Sequence, residues 1–200
     1  NAAALFKPDG SISELYYKNI LVPVGERMLW LNLFPFLWKL QFGQANWEFG
    51  NGPAYYQTDS LEFSPSICYE LAFAEFHQKM AIRKDKDTGS YKKTDFLVNI
   101  TNDAWFGTSY GPWLHSVMAK FRAVENRIQI YRSANTGISL IVDPFGRILT
   151  KAGLFEITNL YAPLIICPKI PVYRYIYWYP WIFVILVAGL FIYSFLKKEA

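Results

Sequence analysis

Two hundred residues with a formal charge of only +4 are enough to bury one sizeable core. They exclude an ordinary polyanion binder, because the basic residues are scattered and Lys84 and Lys86 alternate with Asp85 and Asp87 instead of forming a stripe. Hydrophobic residues make up 52% of the chain and aromatic residues 18%, a composition that points to a surface meeting lipid.

The opening, Asn1 to Phe6, has no initiator Met and no signal-peptide pattern, so the chain reads as part of a longer protein. Ala3 to Phe6 and Ile12 to Tyr17 flank a Pro8-Asp9-Gly10 turn and predict a hairpin. Arg27 to Leu40 has helical spacing interrupted at Pro35, and Gly43 to Tyr55 predicts a Gly- and Asn-rich loop with exposed Trp47 and Phe49. Leu61 to Ile67 predicts a strand ending at Cys68, Glu70 to Ile82 a helix, and Arg83 to Lys93 a solvated turn. Phe96 to Ile100 predicts a buried strand. Trp113, Val117, Phe121, Val124, Ile128 and Tyr131 recur at helical spacing, so Pro112 to Tyr131 predicts a core-packed helix opened by its proline. Ile138 to Val142 and Arg147 to Thr150 predict a hairpin across Asp143-Pro144-Phe145-Gly146, and Leu160 to Ile166 a last strand. Helices placed between strands give a mixed α/β fold.

Tyr179 to Leu196 is almost wholly apolar and is followed by Lys197 and Lys198. With Tyr175, Tyr177, Trp178 and Trp181 as an aromatic belt, residues 175–197 reach the roughly 20 residues a bilayer needs. The terminal lysines place residues 198–200 in the cytoplasm and the preceding domain, 1–168, on the far side, in a bacterium the periplasm. A buried core helix is the other reading, but Trp181 to Ile192 offers no polar face.

Chemistry concentrates in three segments. Cys68 stands where a strand runs out and a helix begins, in Ser66-Ile67-Cys68-Tyr69-Glu70, a position that suits a nucleophilic thiol and offers backbone N–H groups to an oxyanion. A buried structural cysteine is the alternative there, and the natural reading of Cys167. Lys18 and Glu26 are separated by a Pro-Gly turn that lets them fold back and pair, fixing an ammonium near developing negative charge, or else forming an ordinary surface ion pair. Asn99 to Gly107 opens from a strand into a polar, aromatic loop, where Asn and Asp also serve ordinary turns. His77 and His115 lie in no recognisable base motif and read as satisfied structural residues. The two cysteines have no metal-ligand spacing; neither metal nor cofactor is expected.

Together these segments resemble the nitrilase (carbon–nitrogen hydrolase) superfamily, in its membrane-bound, apolipoprotein-acylating branch. The likeness rests on Lys18 with Leu21-Val22-Pro23 to Gly25-Glu26, on Ile67-Cys68-Tyr69-Glu70, and on Asn102 to Gly107 continuing to Gly111-Pro112 and Arg122-Ala123. Glu125, Arg132 to Ser139 and the terminal span also fit. The resemblance implies an α-β-β-α sandwich, incomplete at its N-terminus, followed by one transmembrane helix. It implies a Glu-Lys-Cys set with Cys68 as nucleophile, Lys18 as stabilising cation, Glu26 as the residue orienting it, and Tyr69 and Glu70 flanking the nucleophile. Tyr69 would offer its backbone N–H to the oxyanion. The family's general-base glutamate lies before the first matched segment, so this chain alone is expected to be inactive. The implied partners are a phospholipid acyl donor and a diacylglyceryl apolipoprotein acceptor at the inner membrane, with the enzyme a monomer. A membrane-tethered amidase using Cys68 and Lys18, and an inactive membrane-bound interaction module, are the rival expectations.

Overall fold

The computed structural model describes residues 1–27, 47–58, 60–85, 87–176 and 178–198. The expected hairpin forms: β1 (Ala2–Ala3) pairs antiparallel with β2 (Tyr16–Tyr17), and a Phe6–Ile12 bridge closes it over the Pro8-Asp9-Gly10 turn. The helix expected over 27–40 falls, but for Arg27, outside the described residues. So do residues 43–46 of the expected loop. Residues 47–55 have no strand or helix, and Trp47 and Phe49 are exposed as expected.

The centre of the molecule is a mixed sheet. β3 (Tyr56–Gln57) and β4 (Glu62–Ile67) pair antiparallel, while β4, β7 (Phe96–Asn102) and β8 (Gln129–Asn135) run parallel. β9 (Leu140–Val142) and β10 (Ile148–Lys151) complete the antiparallel edge, giving the order β10-β9-β8-β7-β4-β3. Parallel neighbours need crossovers. Between β4 and β7 the crossover holds a 3-10 turn (Cys68–Ala72), α1 (Ala74–Ala81) and a small hairpin of β5 (Ile82–Lys84) and β6 (Tyr91–Lys93). Between β7 and β8 it is α2 (Gly111–Asn126). Leu71, Met80, Leu97, Ala123, Ile130 and Val142 lie in the main core cluster. The three parallel strands end side by side, at Ile67, Asn102 and Asn135, the edge where open α/β sheets hold their sites.

Several expectations are corrected. The helix expected over 70–82 starts earlier, as a 3-10 turn at Cys68, and is interrupted at Phe73, whose extended backbone separates that turn from α1. Residues 83–93 hold two short strands instead of an open turn, because Ile82 is buried and carries its neighbours into a ladder. α2 ends at Asn126, five residues before the periodicity suggested, because Arg127 takes the left-handed conformation (φ 50°) and its N–H caps the Ala123 and Val124 carbonyls. Ile128 then leads into β8.

The expected inward face of α2 is the outward one. Trp113, Val117, Phe121 and Val124 are exposed, whereas His115, Ser116, Ala119, Arg122, Ala123 and Asn126 are buried. Small alanines let the helix lie close to the sheet, and the polar residues find buried partners. Residues 160–166 form no strand; the Ile165 N–H donates instead to the Gln129 side chain at 2.9 Å. Past a short α3 (Tyr173–Ile176), α4 (Pro180–Lys198) presents its side chains outward. Among the described residues this is the one helix whose length and composition suffice to cross a membrane.

Candidate active site at the carboxyl ends of the parallel strands

Cys68 follows directly on β4 with φ 51°, a left-handed conformation that a residue with a side chain adopts at a cost of roughly 1–3 kcal/mol. The kink turns the chain off the strand into the 3-10 turn. The thiol is partly buried, beside a cluster of Tyr16, Tyr56 and Ile67. Both cysteines are free.

Glu70, two residues on, is fully buried, and its carboxylate takes four hydrogen bonds. Oε2 accepts from Ile67 N–H at 2.7 Å and from the Tyr16 hydroxyl at 2.7 Å; Oε1 accepts from Asn19 N–H at 2.6 Å and Ile20 N–H at 3.2 Å. One side chain thus ties the backbone just before Cys68 to the segment on either side of Lys18. Burial pushes the Glu70 carboxyl above its usual range, and the four donors pull it back toward the ionised form that can accept them all.

Lys18 is 1% exposed, yet its ammonium has a dedicated partner: Nζ donates to Glu26 Oε1 at 2.7 Å and Oε2 at 2.6 Å. A buried ammonium with neither partner nor solvent would be strongly disfavoured. The Pro23–Gly25 turn brings Glu26 back, and Glu26 Oε2 also accepts the Val22 N–H at 2.8 Å, so the carboxylate is held by the turn it closes. Two of the three ammonium hydrogens are used, leaving one for another acceptor. Gly50 N–H donates to the Lys18 carbonyl at 2.9 Å, so close that any side chain at Gly50 would collide with the Tyr17 carbonyl. The structure therefore pairs Lys18 with Glu26 and joins their segment to the Cys68 turn through Glu70. The Tyr69 ring turns outward and packs edge-on against Phe73.

Beneath Cys68 lies a buried polar network that no spacing in the sequence reveals. Arg132 donates to Asn99 Oδ1 and Asp103 Oδ2, each at 2.6 Å, and to the Ile138 carbonyl. Asn99 donates on to Ser66 Oγ at 3.0 Å, and His77 Nε2 lies 3.3 Å from the same hydroxyl. His77 Nδ1 faces the Phe73 carbonyl and so carries the proton, which makes Nε2 the acceptor for Ser66. Burial holds the His77 pKa down to about 3. On the other branch, His115 lies between Asp103 and the Cys68 carbonyl. Burial alone would raise the Asp103 carboxyl, but the neighbouring His115 imidazole and the Arg132 charge outweigh it, and the net shift is downward. Any side chain at Gly137 would strike that carboxylate. The turn chemistry expected of Asn102 is present, its Oδ1 accepting the Ala104 N–H; that expected of Asp103 gives way to this buried ion pair.

The sequence profile of the family described as carbon-nitrogen hydrolase matches residues 1–166, and the chain belongs to that family. Its curated relatives point to one branch. It is 42% identical over 158 residues to an apolipoprotein N-acyltransferase of Rickettsia prowazekii, covering 78% of this chain and 29% of that protein. It is 36% identical over 155 residues to that of Chlorobaculum tepidum (74% and 27%) and 33% identical over 196 residues to that of Bdellovibrio bacteriovorus (94% and 34%). The chain thus spans about a third or less of the length of these relatives. Among solved structures it is similar to a variant of the Nesterenkonia sp. amidase carrying acrylamide at its active-site cysteine (TM-score 0.54, 19% identity, 76% of this chain and 52% of that one). It is also similar to Nit3 of Saccharomyces cerevisiae, a nitrilase-superfamily member (TM-score 0.53, 20% identity, 77% and 49%). Both likenesses show the nitrilase fold.

Proposed function

We propose that this chain supplies the nucleophile and the oxyanion-stabilising cation of an apolipoprotein N-acyltransferase. The single observation that carries the reading is the Glu70 bridge, which fastens the Cys68 turn to the segment around Lys18 while Glu26 fixes the buried ammonium. The reaction has two halves. The Cys68 thiol loses its proton to the general-base glutamate of the whole protein, and the sulfur attacks the ester carbonyl of a phospholipid. The oxyanion that forms meets the Lys18 ammonium and the Tyr69 N–H; its collapse expels a lysophospholipid alkoxide, which takes up the proton and leaves an acyl thioester. The free α-amino group of a diacylglyceryl-cysteine then attacks, the amide forms, and the Cys68 thiol is regenerated. Glu26 orients the cation, and Glu70 braces the two segments against each other.

Both substrates are lipid-anchored, which suits a domain at 1–168 tethered by a span at 175–197, with residues 198–200 cytoplasmic and the site on the periplasmic side of a bacterial inner membrane. The helix runs through Lys198, so its last turn includes the first of those three residues. Trp105 and Tyr110 are 86% and 84% exposed on the loop after β7, and with residues 47–55 they form the candidate lid that keeps water from the thioester.

The test is incubation of the whole protein with phospholipid labelled in its acyl chain and a diacylglyceryl lipopeptide. One lysophospholipid released per amide formed, with both lost in Cys68→Ala, is the expected result. Hydrolysis of a small soluble amide with no transfer from phospholipid would favour the membrane-tethered amidase instead.

A further inference from the structure

The hydrogen bond between His115 and the Cys68 carbonyl, at 3.1 Å, matters because of which peptide it grips. A carbonyl only accepts, so Nε2 of His115 carries the proton and donates. The Cys68 C=O and the Tyr69 N–H belong to one planar peptide unit and point in opposite directions. Holding the carbonyl toward α2 therefore aims the Tyr69 N–H away from it. That N–H lies within the first turn of a 3-10 helix, where backbone donors have no intrahelical acceptor. The preceding φ of 51° is one that an ordinary residue leaves readily unless it is held.

His115 is itself held. It is 5% exposed, and its Nδ1 lies 3.0 Å from Asp103 Oδ1 and 3.1 Å from Arg132 Nη2. Thr101 donates to the same Asp103 oxygen at 2.9 Å, and the Phe106 ring packs against the imidazole. On the other side of the kink, the Asn99–Ser66–His77 branch fixes the residues before Cys68. Both branches start from the Arg132 guanidinium. We propose that His115 is a positioning residue that sets the oxyanion hole: through the Cys68 carbonyl it orients the Tyr69 N–H, and Arg132, itself held by its ion pair with Asp103, donates to Nδ1 and keeps the imidazole aimed. The inference rests on the reading of Cys68 as nucleophile and Tyr69 N–H as oxyanion donor.

Two substitutions in the whole protein separate this role from simple packing. In His115→Gln the side-chain amide nitrogen reaches as far as Nε2 and can still donate to the Cys68 carbonyl. In His115→Asn the amide nitrogen matches Nδ1 and falls short. For His115→Asn, acylation of Cys68 by labelled phospholipid should slow about 10- to 100-fold, short of the about 10²–10³ lost when an oxyanion donor is removed outright. Its KM for phospholipid should stay within about twofold, since the donor acts only after attack. His115→Gln should recover most of the rate. Iodoacetamide, which alkylates Cys68 without forming an oxyanion at a carbonyl, should react equally with all three proteins.

Equal acylation by the parent and His115→Asn would overturn the inference and leave the proposed function standing. So would alkylation that falls in step with acylation, which would mean that His115 only holds the thiol or the fold. A parent protein that forms no thioester at Cys68 while His115→Asn alkylates normally would remove the proposed function, and the inference with it.

Discussion

The ground beneath Cys68 and the outer surface of α2 reverse the usual arrangement of a protein interior and exterior. Under the cysteine, Asn99, Asp103, His115 and Arg132 are buried and bonded to one another, and the buried Lys18 and Glu70 are bonded to Glu26 and to the Tyr16–Ile20 segment. On the surface, Trp105, Tyr110, Trp113 and Phe121 face outward, and α4 adds a helix of exposed apolar side chains. Buried charges persist only where partners satisfy them, so the inner region is organised by hydrogen-bond geometry and tolerates little change. Exposed apolar residues contribute little to a fold, so the outer region can be altered at small cost to stability. The contrast teaches that, under the proposed function, polarity marks where chemistry is held and apolarity marks where the molecule meets lipid.

The sharpest way to break that contrast is at its centre. Cys68→Ala in the whole protein should lower acyl transfer by roughly 10³-fold or more, as loss of a nucleophile does, with little change in melting temperature. Lys18→Met should lower the acylation rate by about 10²–10³-fold, the loss expected when a preorganised oxyanion partner is removed. Rates near that of the parent would show that the ammonium serves only its pair with Glu26. Glu70→Gln keeps the shape but replaces one acceptor oxygen with a donor facing backbone N–H groups, and should cost about 1–3 kcal/mol in chemical denaturation.

A pH-dependent effect comes from His77. Its folded-state pKa is depressed to about 3 by burial, from an ordinary value of 6.5. Below 6.5 the unfolded chain takes up a proton that the folded chain refuses, so stability falls as pH falls. The slope from this group approaches about 1.4 kcal/mol per pH unit between pH 6.5 and pH 3. His77→Gln should flatten that part of the stability profile of the whole protein, and an unchanged slope would show that other groups set it. The smallest expected effect on stability lies outside. Trp105→Ala with Tyr110→Ala should shift stability by no more than about 0.5 kcal/mol. The same pair should raise thioester hydrolysis relative to amide formation, and an unchanged ratio would remove the lid from the account.

The sequence displayed much of the frame and little of the network. The first hairpin, β4, β7 and the β9–β10 hairpin were legible because turn residues bracket short apolar runs, and the Lys18–Glu26 pair because a single turn joins its members. The helical spacing in α2 was real, but spacing does not say which face is inside: alanines set the close packing, and the large apolar side chains point out. Residues 160–166 look like a strand, yet a Gln129 side chain takes the Ile165 N–H in place of a neighbouring strand. The network joining Ser66, Asn99, Asp103, His115 and Arg132 was hidden because its members come from four separate segments, and only the side-by-side endings of three parallel strands bring them together. His115 read as a satisfied structural residue, and its nitrogens are satisfied; what the sequence could not show is that one of its partners is the Cys68 peptide.

The most direct test of the central claim is peptide mass spectrometry of the whole protein after incubation with phospholipid and no acceptor. The account predicts one fatty-acyl group on the peptide containing Cys68, released by hydroxylamine and lost when a diacylglyceryl lipopeptide is added. Acceptor acylation that proceeds with Cys68 unmodified, or with the acyl group on Cys167, would contradict it.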